Sequence, residues 1–174
     1  GQPSGYVWTD HSFESLVRED IEKIAAASGI SDYNITTVPT PVKPEGFSRI
    51  EDPDKDQTLD PKGISLIGNR TMSLDSNVLN GIVTIKDGRM TVPQDQDVCV
   101  ISEELALLNH LTVGDRIGFS PVKQEGPIQY AEIVGIYQVR EPMTPYMSGD
   151  TYRSENIIFT NLDFPAKAEQ DSPL

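Results

Sequence analysis

Five oxygen-bearing side chains, Asp52, Asp54, Asp56, Thr58 and Asp60, alternate along one stretch of the chain. That spacing could wrap a hard cation such as calcium. A tight calcium loop also needs a glycine at its sharp turn and a bidentate glutamate at its end; Gln57 and Gly63 stand there instead, and Pro53 and Pro61 stiffen the path. A solvated acidic loop is the simpler reading, because runs of charge are most often surface segments. A weak calcium site at Asp52, Asp54, Asp56 and Asp60 is the alternative. The nucleophiles and bases are few: Cys99 lies in an apolar strand-like run and should pack as a small hydrophobe, His110 follows a short helix at a turn, and His11 flanks a helix start without an evident partner. The carboxylate pairs Asp95/Asp97 and Glu103/Glu104 are explained by a turn and a helix start.

A second kind of site is suggested by Pro142, Met143, Pro145, Tyr146 and Met147, which put adaptable and aromatic groups in a proline-punctuated loop. Met143, Tyr146 and Met147 are residues of the type that contact partners or substrates. Equally, Tyr146 and Met147 could simply cover the hairpin beneath them, since ordinary surfaces are themselves largely apolar. Asn34-Ile-Thr36 and Asn69-Arg-Thr71 match the glycosylation acceptor pattern, a three-residue match with meaning only in a eukaryotic secretory context. No phosphate-binding glycine loop, Gly-x-Ser-x-Gly elbow or His-Glu-x-x-His pair is present, so no enzyme is nominated and no cofactor is called for.

The whole chain narrows the classes further. With 174 residues it can bury a sizeable core without metals or disulfides. Its 27 acidic against 14 basic residues give a formal charge of -13, with no Lys/Arg run to track phosphates, which argues against a nucleic-acid partner. One cysteine and two histidines argue against a disulfide framework or a Cys- or His-rich metal centre. No stretch approaches the roughly 18 to 20 apolar residues of a spanning helix. The opening Gly1, without Met or a basic-then-apolar leader, reads as the start of an excised piece.

The elements that would hold these residues are read from period. Phe13, Leu16, Val17, Ile21, Ile24 and Ala25 recur at helical steps, predicting a helix over Ser12 to Ser28 stopped by Gly29. Ser31 to Val42 carries β-branched residues until Pro39 and Pro41, as an edge strand would. Residues 45 to 62 read as an exposed acidic loop. Beyond it, Ile64 to Ile67, Gly81 to Ile85, Val98 to Ile101, Arg116 to Phe119 and Ile128 to Val139 read as strands, with a tight turn at Asp87-Gly88 and a helix from Ser102 to Asn109. Asn156 to Thr160 is the last strand, and the tail from Asp163 to Leu174 has no apolar period. The expected class is α+β: a porter-like helix and strand (1–44), the loop (45–62), a β-rich inserted lobe with one short helix (63–150), and a return strand and tail (151–174).

Within residues 80 to 138 the order of motifs is specific: Gly88-Arg89, the strand Val98 to Ile101, the helix Ser102-Glu-Glu-Leu-Ala-Leu-Leu-Asn109, the turn Val113-Gly-Asp115, the strand Arg116 to Phe119 and Val134-Gly-Ile136. In that order they resemble the extracytoplasmic, MacB-like periplasmic core domain of MacB/FtsX-like ABC transporter permeases. The acidic loop is not a hallmark of that family, and the sequence stops at Leu174, before a second helix-containing half that many members show, so either it is truncated there or this member is built differently. The resemblance implies a non-catalytic domain on the extracytoplasmic side of a cell membrane, inserted between transmembrane helices. Its partners would be the transmembrane part of the same permease, a cytoplasmic ATPase acting indirectly, and a peptide, antibiotic or lipoprotein substrate or an extracytoplasmic partner protein, with a dimer in the full transporter. A free-standing extracellular binding module, calcium-dependent through the loop, is the alternative.

Overall fold

The computed structural model describes residues 5–8 as backbone, 32–54 and 57–170. The expected helix Ser12 to Ser28, His11, Asp56 and the chain beyond residue 170 lie outside the described residues. Among the described residues nine strands run in order: β1 (Gly5–Trp8), β2 (Asn34–Thr37), β3 (Thr40–Glu45), β4 (Ile64–Asn69), β5 (Val83–Gly88), β6 (Val98–Ser102), β7 (Arg116–Pro121), β8 (Gln129–Val139) and β9 (Ile157–Asn161). Among the described residues three short α-helices accompany them: α1 (Ser76–Leu79), α2 (Glu103–Asn109) and α3 (Phe164–Glu169). The class is α+β, and the strand runs expected between Ile64 and Thr160 are all strands.

Six strands close on themselves. β4 pairs with β3, β3 with β7, β7 with β8, β8 with β6, β6 with β9, and β9 returns to β4 through five residue pairs from Ser65–Ile157 to Asn69–Asn161. The β6–β8 and β4–β9 pairs are parallel and the other four antiparallel. Closure leaves no open edge on the ring, and in so small a barrel the interior is filled by side chains. Alternation supplies them: Val42, Leu66, Ile101, Phe119, Ile133 and Ile158, one from each strand, belong to one buried cluster. The helices finish it. Leu105 and Ala106 of α2 and Phe164 and Ala168 of α3 join the same cluster, with the rings of Phe119 and Phe164 edge to face at 5.6 Å.

The opposite faces of the same strands carry a second cluster, in which Val100, Tyr137 and Phe159 are joined by Val83 of β5 and by Met72. Tyr137 packs its ring against Phe159 at 5.3 Å and donates its hydroxyl to the carbonyls of Ser154, at 3.0 Å, and Ile157. This satisfies the one polar atom that the buried ring brings with it.

Several expectations are corrected. β3 is interior, flanked by β4 and β7, although prolines suggested an edge. The register explains this: Val42 faces Ile64 on one side and Pro121 on the other, so β7 ends before Pro41 and β4 before Pro44, and each proline's missing donor can face where no partner strand continues. Thr36 faces Asn69 and Thr40 faces Leu66, four steps against three, so β2 and β3 form one strand with an extra residue between them. Asp87-Gly88 is no tight turn but the bulged end of β5, with Gly88 opposite Gly135. The tail forms α3, whose Phe164 and Ala168 are buried. The barrel takes β3 (Thr40–Glu45), then β4, β6, β7 and β8 between residues 64 and 139, and β9 (Ile157–Asn161), so its wall draws on well-separated stretches of the chain.

Candidate functional site

The acidic loop is not simply solvated. Asp60 has a fully buried side chain: Oδ1 accepts from the Thr151 N–H at 2.9 Å, and Oδ2 accepts from Arg49 Nη1 at 2.8 Å and the Lys62 N–H at 2.9 Å. Burial pushes its pKa up, but the hydrogen bonds from Thr151 and Arg49 outweigh that and hold it below the usual carboxylate value. Asp150, also with a buried side chain, accepts from the Asp52 N–H at 2.8 Å and Gln57 Nε2 at 2.7 Å, and pairs with Arg153 at 3.3 Å. Asp52 turns its own carboxylate onto the Asp54 N–H. The structure therefore spends Asp52 and Asp60 on separate local bonds and leaves Asp54 exposed, and among the described residues no three acidic, His or Cys groups are gathered to hold a metal ion. Asp56 lies outside them. What the loop forms instead is a polar clasp, closed by partners about 90 to 100 residues away in sequence, for which the sequence carries no local signal.

Of the three expected contact residues, the structure leaves two at the surface. Tyr146 is 54% and Met147 48% exposed, and the Tyr146 ring meets the buried Tyr152 at 5.8 Å. A groove of about 490 Å³ runs beside Tyr146 and Tyr152, lined also by Pro39, Pro61, Val122 and Lys123. Met143 is a correction: it is buried in the outer cluster, and its N–H donates to Ser154 Oγ at 2.7 Å. A proline on its preceding side does not make a residue a surface residue when a distant hydroxyl takes its backbone donor.

The ordered motifs meet around one stretch of β8. Gly88 faces Gly135, the Arg89 N–H donates to the Val134 carbonyl at 2.9 Å, and a Cβ on Gly135 would lie 3.1 Å from the Arg89 carbonyl carbon. Only glycine permits that approach. The Val113-Gly-Asp115 turn clips on from the other side: the Gly114 N–H donates to Ile133 O and the Ile133 N–H to Asp115 O, both at 2.8 Å, while the Asp115 carboxylate accepts from the Thr112 N–H. Ser102 caps α2 by accepting from the Leu105 N–H at 3.1 Å and donates its hydroxyl to Glu155 O at 2.7 Å. Gly88, Arg89, Gly114 and Asp115 thus join β8 to neighbouring elements, while Ser102, opposite Tyr137 of β8, ties the start of α2 to Glu155.

The remaining candidates are placed plainly. Cys99 is fully buried inside the barrel, and burial pushes its thiol far up. His110 is exposed and ends α2 in a left-handed conformation. Asn34 and Asn69 are buried, and the Asn34 amide donates to Asn69 Oδ1 at 2.8 Å, so neither acceptor pattern is presented to a modifying enzyme in the folded chain.

No protein family's sequence profile matches the chain. No curated protein matches it either. Among solved structures, a domain assigned to a permease protein from Porphyromonas gingivalis is similar at 18% identity and a TM-score of 0.36, covering 76% of this chain and 54% of that one. The chain thus spans about half the length of that structure, and a likeness so distant decides neither fold nor function. Among the described residues no helix is long and apolar enough to cross a membrane.

Proposed function

We propose that the chain is an extracytoplasmic domain of a MacB/FtsX-like ABC transporter permease: a non-catalytic body that couples ATP hydrolysis on the cytoplasmic side to the handling of a substrate or partner outside the membrane. The observation that supports this reading best is the ordered set of motifs, Gly88-Arg89, Ser102-Glu-Glu, Val113-Gly-Asp115 and Val134-Gly-Ile136, meeting around β8 as joints of one module. A domain that works by moving as a body needs such joints more than it needs a catalytic pocket. In the same reading Tyr146 and Met147 face a peptide, antibiotic or lipoprotein, or a partner protein, and the transmembrane part of the permease carries the domain.

The test uses the full gene product in its own membrane. Cys99 is sealed, so Thr112→Cys, at an exposed position, introduces the accessible thiol of this domain. A membrane-impermeant maleimide should label it in intact cells, and a cytoplasmic ATPase should co-purify with the protein. Labelling that requires lysis, or a gene product lacking apolar segments of about 20 residues, would refute the assignment.

A further inference from the structure

Tyr152 is only 5% exposed and sits in a single 3-10 turn (Asp150–Tyr152), held there because the neighbouring Thr151 N–H donates to Asp60 at 2.9 Å. Among the described residues its hydroxyl has no hydrogen-bond partner, yet solvent still reaches it. The Tyr146 hydroxyl, on the ring that meets it at 5.8 Å, is unpaired as well. Buried polar groups as a rule find a partner inside the protein, as the Tyr137 hydroxyl does. A nearly buried phenol that finds none, and opens on a groove, is set to donate to a partner from outside.

Both tyrosines line the groove of about 490 Å³, whose apolar walls are the half-buried Val38, Pro39, Pro41, Pro61 and Val122. A second groove of about 270 Å³ shares Pro41, Val122, Lys123 and Glu169 with it and continues past Pro121 to Gln170, so the two form one trough. A trough suits a linear ligand, and its walls decide the kind. Prolines have no N–H, and the Val38 carbonyl already accepts from Thr40 Oγ1 at 3.2 Å, so a β-strand laid there would find few backbone partners. What the trough offers instead is two hydroxyl donors on a bed of rings and branched side chains. The matching ligand carries acceptors and apolar surface but no donors to leave unpaired. A proline-rich segment is such a ligand, since its polyproline II helix presents carbonyls among pyrrolidine rings without N–H groups. Charge agrees: Lys123 and Glu169 line both halves, one of each sign in a chain of formal charge -13, so this trough is locally balanced and favours an uncharged segment.

We propose that this trough binds an uncharged, proline-rich peptide segment in the polyproline II conformation, whose carbonyls accept from the Tyr146 and Tyr152 hydroxyls. Such a segment is extended before it binds and loses little freedom on docking. The inference rests on the reading of Tyr146 as a contact residue and gives its ligand a chemistry. Its test uses the chain alone, so its failure would leave the permease assignment, tested by labelling in cells, untouched.

The probe is an acetylated, amidated nine-residue oligoproline, titrated into the 174-residue chain and followed through the tyrosine ring-proton signals. Saturable binding should shift the signals of Tyr146 and Tyr152 and leave those of Tyr130 in place. Tyr152→Phe keeps the ring and removes only the donor, so affinity should fall about fivefold, the loss of one hydrogen bond. Tyr146→Ala removes ring and donor together and should lower it about tenfold. Unchanged melting temperatures show that both variants fold. Raising the salt concentration to about 0.5 M should alter the affinity less than about twofold. Absence of binding at millimolar peptide, full affinity in Tyr152→Phe, equal affinity for a nine-residue peptide of alternating valine and threonine, or a strong salt dependence would each overturn the proposal.

Discussion

Gly135→Ala should destabilise the chain by about 3 kcal/mol, and the reasoning is local. The new Cβ would overlap the Arg89 carbonyl oxygen and lie 3.1 and 3.3 Å from the Arg89 carbon and nitrogen. Backbone cannot rotate out of the way as a flexible side chain can, so relief means separating the end of β5 from β8. Overpacking of this kind costs about 1–3 kcal/mol. Separation also breaks the hydrogen bond from Arg89 N to Val134 O, worth about 1 kcal/mol net. For a chain of this length about 3 kcal/mol lowers the melting temperature by about 9 °C. Gly46→Ala is the control: its φ of 82° is strained for alanine, but nothing lies within 4 Å of the new methyl, so about 1 kcal/mol is expected. Urea unfolding read by tryptophan-independent far-UV dichroism measures both. A loss below about 0.5 kcal/mol at Gly135, or equal losses at the two sites, would refute the claim that Gly88-Arg89 and Val134-Gly-Ile136 form one joint.

Other outcomes follow from the same geometry. The Arg89 guanidinium, bonded to Asp95 at 2.8 and 3.0 Å, holds that carboxyl below its usual value of 3.8. The unfolded chain then binds the proton first, so this stabilisation is complete above the ordinary Asp pKa and is lost as pH falls through the depressed folded value; urea midpoints of Asp95→Asn should decline less steeply below about pH 5 than those of the parent. Asp60→Ala leaves the nearly buried Arg49 with only the exposed Glu51 as its carboxylate partner and strips the Thr151 and Lys62 N–H groups of their acceptor, so it should cost about 3 kcal/mol in urea unfolding, because removing one partner of a buried pair is the expensive case. Calcium at low millimolar concentration should leave the melting temperature unchanged, since Asp52 and Asp60 already serve other groups; a rise abolished by Asp54→Ala would restore the loop as a metal site. On the permease proposal, Tyr146→Ala combined with Met147→Ala should leave the melting temperature within about 2 °C while abolishing transport by the full gene product; retained transport would show that the corner is mere covering.

What was legible in the sequence was what neighbouring residues decide. Val98 to Ile101 alternates between the two clusters as its β-branched run implies, and Ser102 caps α2 because its hydroxyl reaches an amide three residues on. Closure was not legible. β4 and β9 are separated by about 90 residues, and nothing in either run says that the other will be its partner rather than β6 or β3. The same distance hid the clasp: Asp60 reads as one more acid in an acidic stretch, and only the arrival of Thr151 and Arg49 makes it a buried acceptor with both oxygens in use. Prolines misled in two directions, suggesting an edge at β3 and a surface at Met143. In both cases a missing donor was read as a missing partner.

That error has a physical root which also bears on the clasped loop. Composition counts polar groups, whereas burial depends on whether each finds a partner, and side-chain amides can supply backbone pairing as well as a strand can. Asn109 and Asn156 do so for Ser48 and Ile50 across 61 and 106 residues. Replacing Asn156 by Asp keeps the acceptor for the Ile50 N–H but sets a carboxylate oxygen against the carbonyls of Ile50 and Asp150, which now receive Nδ2 at 2.7 and 2.8 Å. Two acceptor-to-acceptor contacts in a buried place should cost about 3 kcal/mol and release the loop from residue 48 onward. Faster proteolysis confined to residues 46–54, with the barrel amides still protected from exchange, is the expected signature. If Asn156→Asp instead unfolds the whole chain at once, the loop is part of the barrel's cooperative unit and no separable element.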